Sequence, residues 1–275
     1  IEQNTVSDAF EGIRLDNASS KNNLLGNNSF NNLFFGIMLT FGSSDNFLRN
    51  NSMSGNKYNF GVFDTELLGY IQDIDPSNTV QGKPIYYLTN KQNQLIDTTT
   101  NAGYVGIINS NNITIKDLTL KNNFQGLLFL HTTNSRIENL NISDTEHGIF
   151  IRFSSNNNLI TKNTISKVCD GFAIDNALSN DNLIRDNNII QNCGGIAIQF
   201  NSLNNEISKN NLSFNNLPIF FHLSANNNKL TDNSISNNNN EGVLLIDSSN
   251  NLITDNNIQS NKQGGILNNS AQPEL

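Results

Sequence analysis

Five lines from the second half of the chain decide the fold: NNLITKNTI (157–165), DNLIRDNNI (181–189), NNEISKNNL (204–212), NNKLTDNSI (227–235) and NNLITDNNI (250–258). Aligned, they place identical residue types in columns. One column is asparagine at 158, 182, 205, 228 and 251, and a second is asparagine at 163, 187, 210, 233 and 256. The period is about 23 residues, which is typical of a stacked solenoid.

Within each line apolar and polar residues alternate, which is the period of a strand and not of a helix. Asparagine, glycine and serine between the short strands favour turns. One line has too few apolar residues to form a core, so we expect successive coils to stack at about 4.8 Å and bury it together. Stacked inward asparagines then hydrogen-bond to one another. The sequence predicts an all-β, right-handed, single-stranded parallel β-helix.

A corner column follows each line, and we assign it to Gly171, Gly195, Pro218, Gly242 and Gly265. Earlier coils are marked by Gly12, Gly36, Gly61, Gly126 and Gly148. The chain therefore has about ten or eleven coils, which we expect to stack at the strand spacing of a parallel sheet. We predict one solenoid domain over 1–275, with a frayed tail at 270–275. Residues 66–104 break the period and are predicted to form an extended or hairpin insertion that covers one flank or frames a binding surface.

Composition excludes some classes of function. The net charge of −8 argues against nucleic acid as a partner, since phosphate binding needs a basic surface. No apolar run approaches the roughly 20 residues of a transmembrane helix. Three acids of the insertion, Asp73, Asp75 and Asp97, are candidates for a hard cation such as calcium, although no EF-hand spacing supports that site. We therefore expect no cofactor.

The repeat columns and the G-I-x-I corner resemble the parallel β-helix repeats of the NosD-like, carbohydrate-binding and sugar-hydrolase family. The segment SNTVQGKPIYYLTN (77–90) is similar to a segment of archaeal, especially methanogen, surface proteins of that class. This resemblance implies an extracellular or cell-surface location, contact with polysaccharide, and a place within a larger surface protein. Copper delivery, linked to NosD itself, is disfavoured by the small number of His, Met and Cys residues.

The outer face of the strand that follows each corner is the candidate site, by analogy with other β-helices. Counting from the assigned corners, the fourth position presents Arg152, Asp175, Gln199 and His222 as one outward row, about 5 Å apart. The aromatic rings of Phe150 and Phe220 lie beside this row and could stack on sugars. Asp175, Arg152 and His222 are the candidate catalytic groups, with Asp175 as acid or base and Arg152 holding a carboxylate. The alternative is a solvated row of paired charges.

A second cluster lies in turns near one corner and comprises Asp144, Glu146, His147 and Asp170. Two carboxylates at that range can hydrolyse a glycosidic bond, although acids are common in turns. Asp170 and His147 are therefore kept as candidate substrate-binding residues. Cys169 and Cys193 are expected to stack on adjacent coils, either as a disulfide or as a reduced pair in one interior slot. His131 stands alone and is read as structural.

Three functions remain open from the sequence. The first is a polysaccharide-binding β-helix that contacts glycan along the Arg152–His222 row. The second is a hydrolase, lyase or epimerase acting on a polysaccharide, and the third is a spacer or adhesin without a site. A cleft beside the row, walled by the insertion, would favour the first two.

Overall fold

A computed structural model of the protein describes residues 1–269. It is an all-β right-handed parallel β-helix of about 12 turns. One long sheet runs through the whole molecule, and we call it the long sheet. Its 13 strands, in spatial order, are Thr5–Ser7, Asn28–Phe30, Ser52–Ser54, Thr79–Val80, Lys83–Thr89, Tyr104–Asn111, Gln125–Thr133, His147–Arg152, Phe172–Ala177, Gly194–Gln199, Leu217–His222, Glu241–Ile246 and Gly264–Asn269.

Two further sheets complete the C-terminal solenoid. The eight-stranded sheet comprises Leu95–Ile96, Thr114–Lys116, Arg136–Glu138, Leu159–Thr161, Leu183–Arg185, Glu206–Ser208, Lys229–Thr231 and Leu252–Thr254. The seven-stranded sheet comprises Thr119–Lys121, Asn141–Thr145, Thr164–Val168, Asn188–Ile190, Asn211–Ser213, Ser234–Ser236 and Asn257–Gln259. Strands in each sheet pair in parallel with the next coil, so each coil contributes one short strand to each face.

The N-terminal stack, residues 1–80, closes with two three-stranded sheets of its own. One contains Ile13–Leu15, Phe35–Thr40 and Tyr58–Phe63, and the other contains Asn23–Leu25, Phe47–Arg49 and Asp73–Ile74. Two 3-10 turns, Leu67–Tyr70 and Thr98–Thr100, lie in the segment between the repeats. Among residues 1–269, no helix has the length and apolar character that crossing a membrane requires.

The predicted asparagine columns are hydrogen-bonded ladders. Asn182 accepts the backbone N–H of Asn158 at 2.8 Å, and Asn205 accepts that of Asn182 at 3.0 Å. The column at 163 continues in the same way, with both the backbone N–H and the side-chain amide of each asparagine donating to the next. A third ladder, which the sequence analysis missed, runs through Asn192, Asn215, Asn238 and Asn261. These ladders satisfy the buried polar groups of three consecutive turns in each coil.

The N-terminal stack folds back on the C-terminal solenoid. The chain reverses between Val80 and Lys83, where the only antiparallel pairing among the described strands occurs. The N–H of Phe124 donates to the carbonyl of Phe60 at 2.9 Å, and Gln125 Nε2 donates to the carbonyl of Val62 at 2.7 Å. One apolar cluster joins the N-terminal core to the outward residues Leu128, Leu130 and Phe150 of the long sheet. The first coils of the solenoid are therefore buried on both faces.

The segment 66–104 carries this junction. Thr79–Val80 and Lys83–Thr89 form a hairpin whose strands join the long sheet, which adds turns that the repeat count left out. Tyr70, Tyr87 and Tyr104 are buried, and their hydroxyls donate to Asp64 O, Tyr70 O and Gln125 Oε1. All three hydroxyls are therefore bonded within the protein.

Two glycines were assigned to the corner column wrongly. Strand pairing places Ala173, and not Gly171, between the corners Gly148 and Gly195, while Pro218 occupies the corner as predicted. Likewise Asn59, and not Gly61, follows Gly36. Both glycines are needed for space: a Cβ at Gly171 would lie 2.4 Å from His147 Nδ1, and one at Gly61 would lie 2.5 Å from Phe124 Cβ.

Candidate functional site

The predicted outward row is wrong in register. Because the corner is Ala173, Asp175 lies two positions after it and pairs with Phe150 above and Ala197 below. Gln199 and His222 pair with each other in the fourth position, and Ala177 takes the place that was assigned to Asp175. A shift of two residues keeps a side chain on the same face of the sheet. Asp175 therefore still faces outward, but diagonally between its predicted neighbours.

The diagonal placement brings the predicted polar residues together. Asp175 Oδ2 accepts from Arg152 Nη2 at 2.9 Å, and Asp175 Oδ1 accepts from Gln199 Nε2 at 2.9 Å. Asp175 is 1% exposed, although it lies on the outside of the solenoid. The guanidinium of Arg152 also packs over the ring of Phe150, 4.3 Å from its centroid. We call Arg152, Asp175, Gln199 and His147 the polar cluster.

His147 belongs to the polar cluster, which the sequence analysis placed in a separate turn. Its Nδ1 lies 3.8 Å from Asp175 Oδ2 and has no hydrogen-bond partner within the protein. Burial lowers the pKa of His147 to about 4, since desolvation outweighs the attraction of the Asp175 carboxylate. The imidazole is therefore neutral at pH 7, and its Nδ1 is buried without a hydrogen-bond partner.

The seam between the N-terminal stack and the long sheet adds a second group of polar residues. Burial raises the pKa of Glu146, and the charge of Asp170 raises it further. Burial and the Glu146 carboxylate likewise raise the pKa of Tyr58, a residue of the N-terminal stack. Glu146 Oε2 and the Tyr58 hydroxyl both lack a hydrogen-bond partner of normal geometry. Asp144 does not join them, since it pairs with Lys167 at 4.0 Å and accepts from Ser143.

The two predicted aromatic residues differ in exposure. Phe150 is fully buried under Phe63, His147 and Arg152, so it cannot stack on a sugar as predicted. Phe220 is half-buried and stacks between two rings: Phe172, 6.0 Å away at an interplanar angle of 15°, and His222, 4.8 Å away at 25°.

We call Phe172, Phe220 and His222 the aromatic platform, of which Phe172 was missed by the sequence analysis. The platform spans three coils because the middle coil carries small residues. Gly194 pairs with Phe172, and Ala197 pairs with Phe220. A Cβ at Gly194 would lie 2.3 Å from the Phe172 ring, so only glycine lets that ring lie flat against the sheet. Below the N-terminal stack, the long sheet thus presents an open face that combines flat rings with the amide of Gln199.

A groove of about 400 Å³ borders this face and is lined by Leu67, His131, Phe153, Ser154, Leu178, Asn180 and Asn201. Leu67 comes from the 66–104 segment, so the insertion contributes one wall of the groove, and most of the other lining residues lie in turns that follow the strands of the long sheet. His131, read as structural from the sequence, is exposed here in a left-handed turn. The apolar turn residues Phe153, Leu178, Phe200 and Leu223 were not identified from the sequence.

The remaining candidates lie elsewhere. Arg49 binds Asp73 at 2.6 Å and Asp75 at 3.1 Å, while Asp97 accepts from Thr99, so the three acids do not converge on a cation. No group of three or more His, Cys, Asp or Glu with metal-binding geometry occurs within residues 1–269. Cys169 and Cys193 are free thiols with exposed side chains, so neither the disulfide nor the interior slot is formed.

Comparison with known proteins gives a family. The profile described as "Right handed beta helix region" matches residues 77–216 and 128–274, which together make up more than half of the chain. No curated protein sequence matches significantly.

Two solved structures are similar. One is a double mutant of the periplasmic alginate epimerase AlgG, with 13% identity and a TM-score of 0.38 over 85% of this chain. This chain spans 61% of the length of that protein. The other is the A-module of the Azotobacter vinelandii mannuronan C-5 epimerase AlgE6, with 12% identity and a TM-score of 0.32 over 98% of this chain and 91% of that one. On the sequence match and the observed coils, this chain belongs to the right-handed β-helix family.

Proposed function

We propose that the protein binds a polysaccharide on the outer face of the long sheet, at the aromatic platform and the adjoining polar cluster. The observation that carries this proposal is the platform itself. Phe172 on one coil and Phe220 and His222 two coils further on form a flat, half-buried surface, and the intervening coil supplies glycine and alanine to keep it flat. Flat rings beside a few fixed polar groups are the usual composition of a site for a sugar.

The polar cluster provides the fixed groups. Gln199 is held by Asp175 and sits one coil from His222, so its amide borders the platform. Arg152 is held from two sides, by the Asp175 carboxylate and by the Phe150 ring. Groups whose rotamers are already fixed lose little entropy when they bind a ligand. A rigid face of this kind favours binding over the spacer alternative, for which a featureless surface would suffice.

Replacement of Phe220 by alanine tests the proposal. Isothermal titration with a panel of soluble oligosaccharides should show about a tenfold or larger loss of affinity for Phe220→Ala, since half of a stacking surface is removed. Phe214→Ala is the matched control, because Phe214 is 60% exposed on a different turn column. Wild-type protein that binds no oligosaccharide, or a Phe220→Ala variant that binds as tightly as Phe214→Ala, would overturn the proposal. Far-UV circular dichroism checks that both variants keep the fold.

A second candidate function is an enzyme acting on the same polysaccharide, and one observation favours it. His147 is neutral, its buried Nδ1 has no hydrogen-bond partner, and this atom lies 3.8 Å from Asp175 Oδ2. General acid–base catalysis uses a neutral base of this kind, and the preceding residue, Glu146, has a raised pKa. Asp175 suits this role less than the sequence analysis proposed, because Arg152 and Gln199 occupy both of its oxygens. His147→Ala should abolish product release in a reducing-end or unsaturated-product assay, and binding without turnover by the wild type would eliminate the enzyme.

We further propose that the protein acts outside the cytoplasm, at the cell surface. Support comes from the resemblance of residues 77–90 to archaeal surface proteins and from the glycan ligand proposed above. Immunodetection on intact cells of the source organism, with and without protease treatment, tests this location.

A further inference from the structure

Four apolar side chains occupy a backbone position that disfavours them. Phe153, Leu178, Phe200 and Leu223 all have left-handed backbone angles, with φ between 52° and 56°. They occupy the same turn of consecutive coils, since backbone hydrogen bonds join Ser154 to Leu178 and Phe200 to His222. Side chains with a Cβ crowd the backbone in this conformation, and asparagine or glycine tolerates it best. We call these four residues the apolar stripe.

Another left-handed column of the same solenoid, a few residues further along each coil, has the residues that this conformation favours. It contains Asn157, Asp181, Asn204, Asn227 and Asn250, with φ between 56° and 58°. Three residues of the apolar stripe are also exposed: Leu178 is 43% exposed, and Phe200 and Leu223 are each 37% exposed. Phe153 packs against Tyr70 of the N-terminal stack, but neither backbone preference nor core burial accounts for the other three side chains.

The apolar stripe coincides with the candidate site. The same turn carries His131 one coil above the stripe and Asp247 one coil below it, so the apolar residues are confined to four coils. These are the four coils whose strands, 147–152, 172–177, 194–199 and 217–222, hold the polar cluster and the aromatic platform. Four coils span about 14 Å at the coil spacing. Stripe and platform therefore form one continuous binding surface of a few sugar units.

The charges of this surface select against an acidic ligand. Arg152 is the only Lys or Arg in the four strands, and its guanidinium is committed to the buried Asp175 carboxylate. His147 is neutral at pH 7. A uronic acid polymer needs a cation for each carboxylate that it buries, because an unpaired buried charge is costly. The surface offers apolar contacts in place of that cation.

We infer that the ligand is an uncharged glycan bearing acetyl groups, whose methyls pack on the apolar stripe while its sugar rings stack on the aromatic platform. The inference rests on the proposed function and adds to it the chemical class of the ligand. An acetamido or O-acetyl group combines a methyl with a hydrogen-bonding oxygen, so it suits a stripe bordered by Ser154, Asn180 and Asn201.

The test compares three oligomers of equal length by isothermal titration: one of N-acetylglucosamine, one of glucose and one of a uronic acid. Wild-type protein should bind the acetylated oligomer about tenfold more tightly than the glucose oligomer. The uronic acid oligomer should bind most weakly. The double variant Leu178→Asn/Phe200→Asn should reduce the preference for the acetylated oligomer to about twofold or less.

Asparagine suits the left-handed angle, so the melting temperature of this double variant should stay within about 2 °C of wild type. Phe214→Asn is the control, because Phe214 has φ of 57° and is exposed on another turn. It should keep the full preference. Each single variant gives the same test if the double variant does not fold.

The outcomes separate the two proposals. Binding that is lost in Phe220→Ala but shows no acetyl preference, or no response to Leu178→Asn/Phe200→Asn, overturns the inference and leaves the proposed function standing. Tightest binding of the uronic acid oligomer also overturns the inference alone. Absence of binding to all three oligomers, and to the wider panel, overturns both.

Discussion

The asparagine ladders are predicted to be a main source of stability, and Asn210 is the place to test this. The residue is 1% exposed. Its Oδ1 accepts the backbone N–H of Asn187 at 3.0 Å and the side-chain amide of Asn187 at 2.9 Å. Its Nδ2 contacts the carbonyls of Ile184 and Ser208 and the Oδ1 of Asn233, at 2.9 to 3.1 Å. Asn210→Ala removes all five contacts from the solenoid interior.

The expected cost follows from the groups that lose a partner. The backbone N–H of Asn187 becomes a buried donor without its acceptor, at about 2 kcal/mol. The lost amide contacts and the small void add about 2 kcal/mol more, for a total near 4 kcal/mol. In a chain of this length that lowers the melting temperature by about 10 °C.

The neighbouring residue provides the control. Asn211 is exposed and makes one side-chain hydrogen bond, from its Nδ2 to Asn188 Oδ1 at 2.8 Å. Asn211→Ala should cost about 0.5 kcal/mol, since water replaces the lost bond. Thermal and urea unfolding followed by far-UV circular dichroism compares the two variants. If Asn210→Ala loses no more stability than Asn211→Ala, the ladders are a consequence of the fold and do not hold it together.

Two further predictions concern the polar cluster. Because burial holds the pKa of folded His147 at about 4, below its ordinary 6.5, the unfolded chain binds a proton in this interval that the folded chain does not. Stability should therefore fall as the pH drops from 6.5 to 4, and His147→Gln should flatten the slope of melting temperature against pH. His222→Gln, at a half-buried site, serves as the control. Coincident slopes for wild type and His147→Gln would contradict this prediction. Arg152→Met should lower the free energy of unfolding by about 4 kcal/mol, because it leaves the Asp175 carboxylate buried without its cation. In a double-mutant cycle, Arg152→Met/Asp175→Leu should recover most of that stability. A double variant as unstable as the sum of both single changes would show that the pair does not interact.

The interior of the solenoid was predictable because two independent signals fix its register. Alternation decides which face a residue occupies, and an asparagine column must repeat in every coil to bond with its copies. Ile184 and Asn187 therefore lie where the sequence places them. The third ladder was also readable from the sequence, since Asn192 and Asn215 each follow an apolar column residue, Ile189 or Leu212, by three positions.

The outer face was harder to predict because the corner glycine that sets the register of each strand was ambiguous. A glycine can mark a corner that needs a small residue, or a point where a neighbouring side chain needs room. Gly171 is of the second kind, since His147 occupies the space where its Cβ would be. The coil before Ala173 is also longer than its neighbours, and glycine at 171 hid that difference. The error moved Asp175 along its strand but not to the other face, so the predicted residues still meet.

The covered part of the long sheet did leave a signal in the sequence. Strands of a parallel sheet that are buried on both faces have continuous apolar runs, whereas strands with one wet face alternate. Residues 127–130 read Leu-Leu-Phe-Leu, while 173–176 read Ala-Ile-Asp-Asn, with Asp175 in an outward position. The change marks where the N-terminal stack ends and the open face begins, and Asp175 lies just past it. At the border of the surface that residues 1–80 cover, a carboxylate is shielded by the N-terminal stack yet adjacent to solvent. The position of the polar cluster is therefore set by the packing of residues 1–80 on the long sheet and not by the repeat itself.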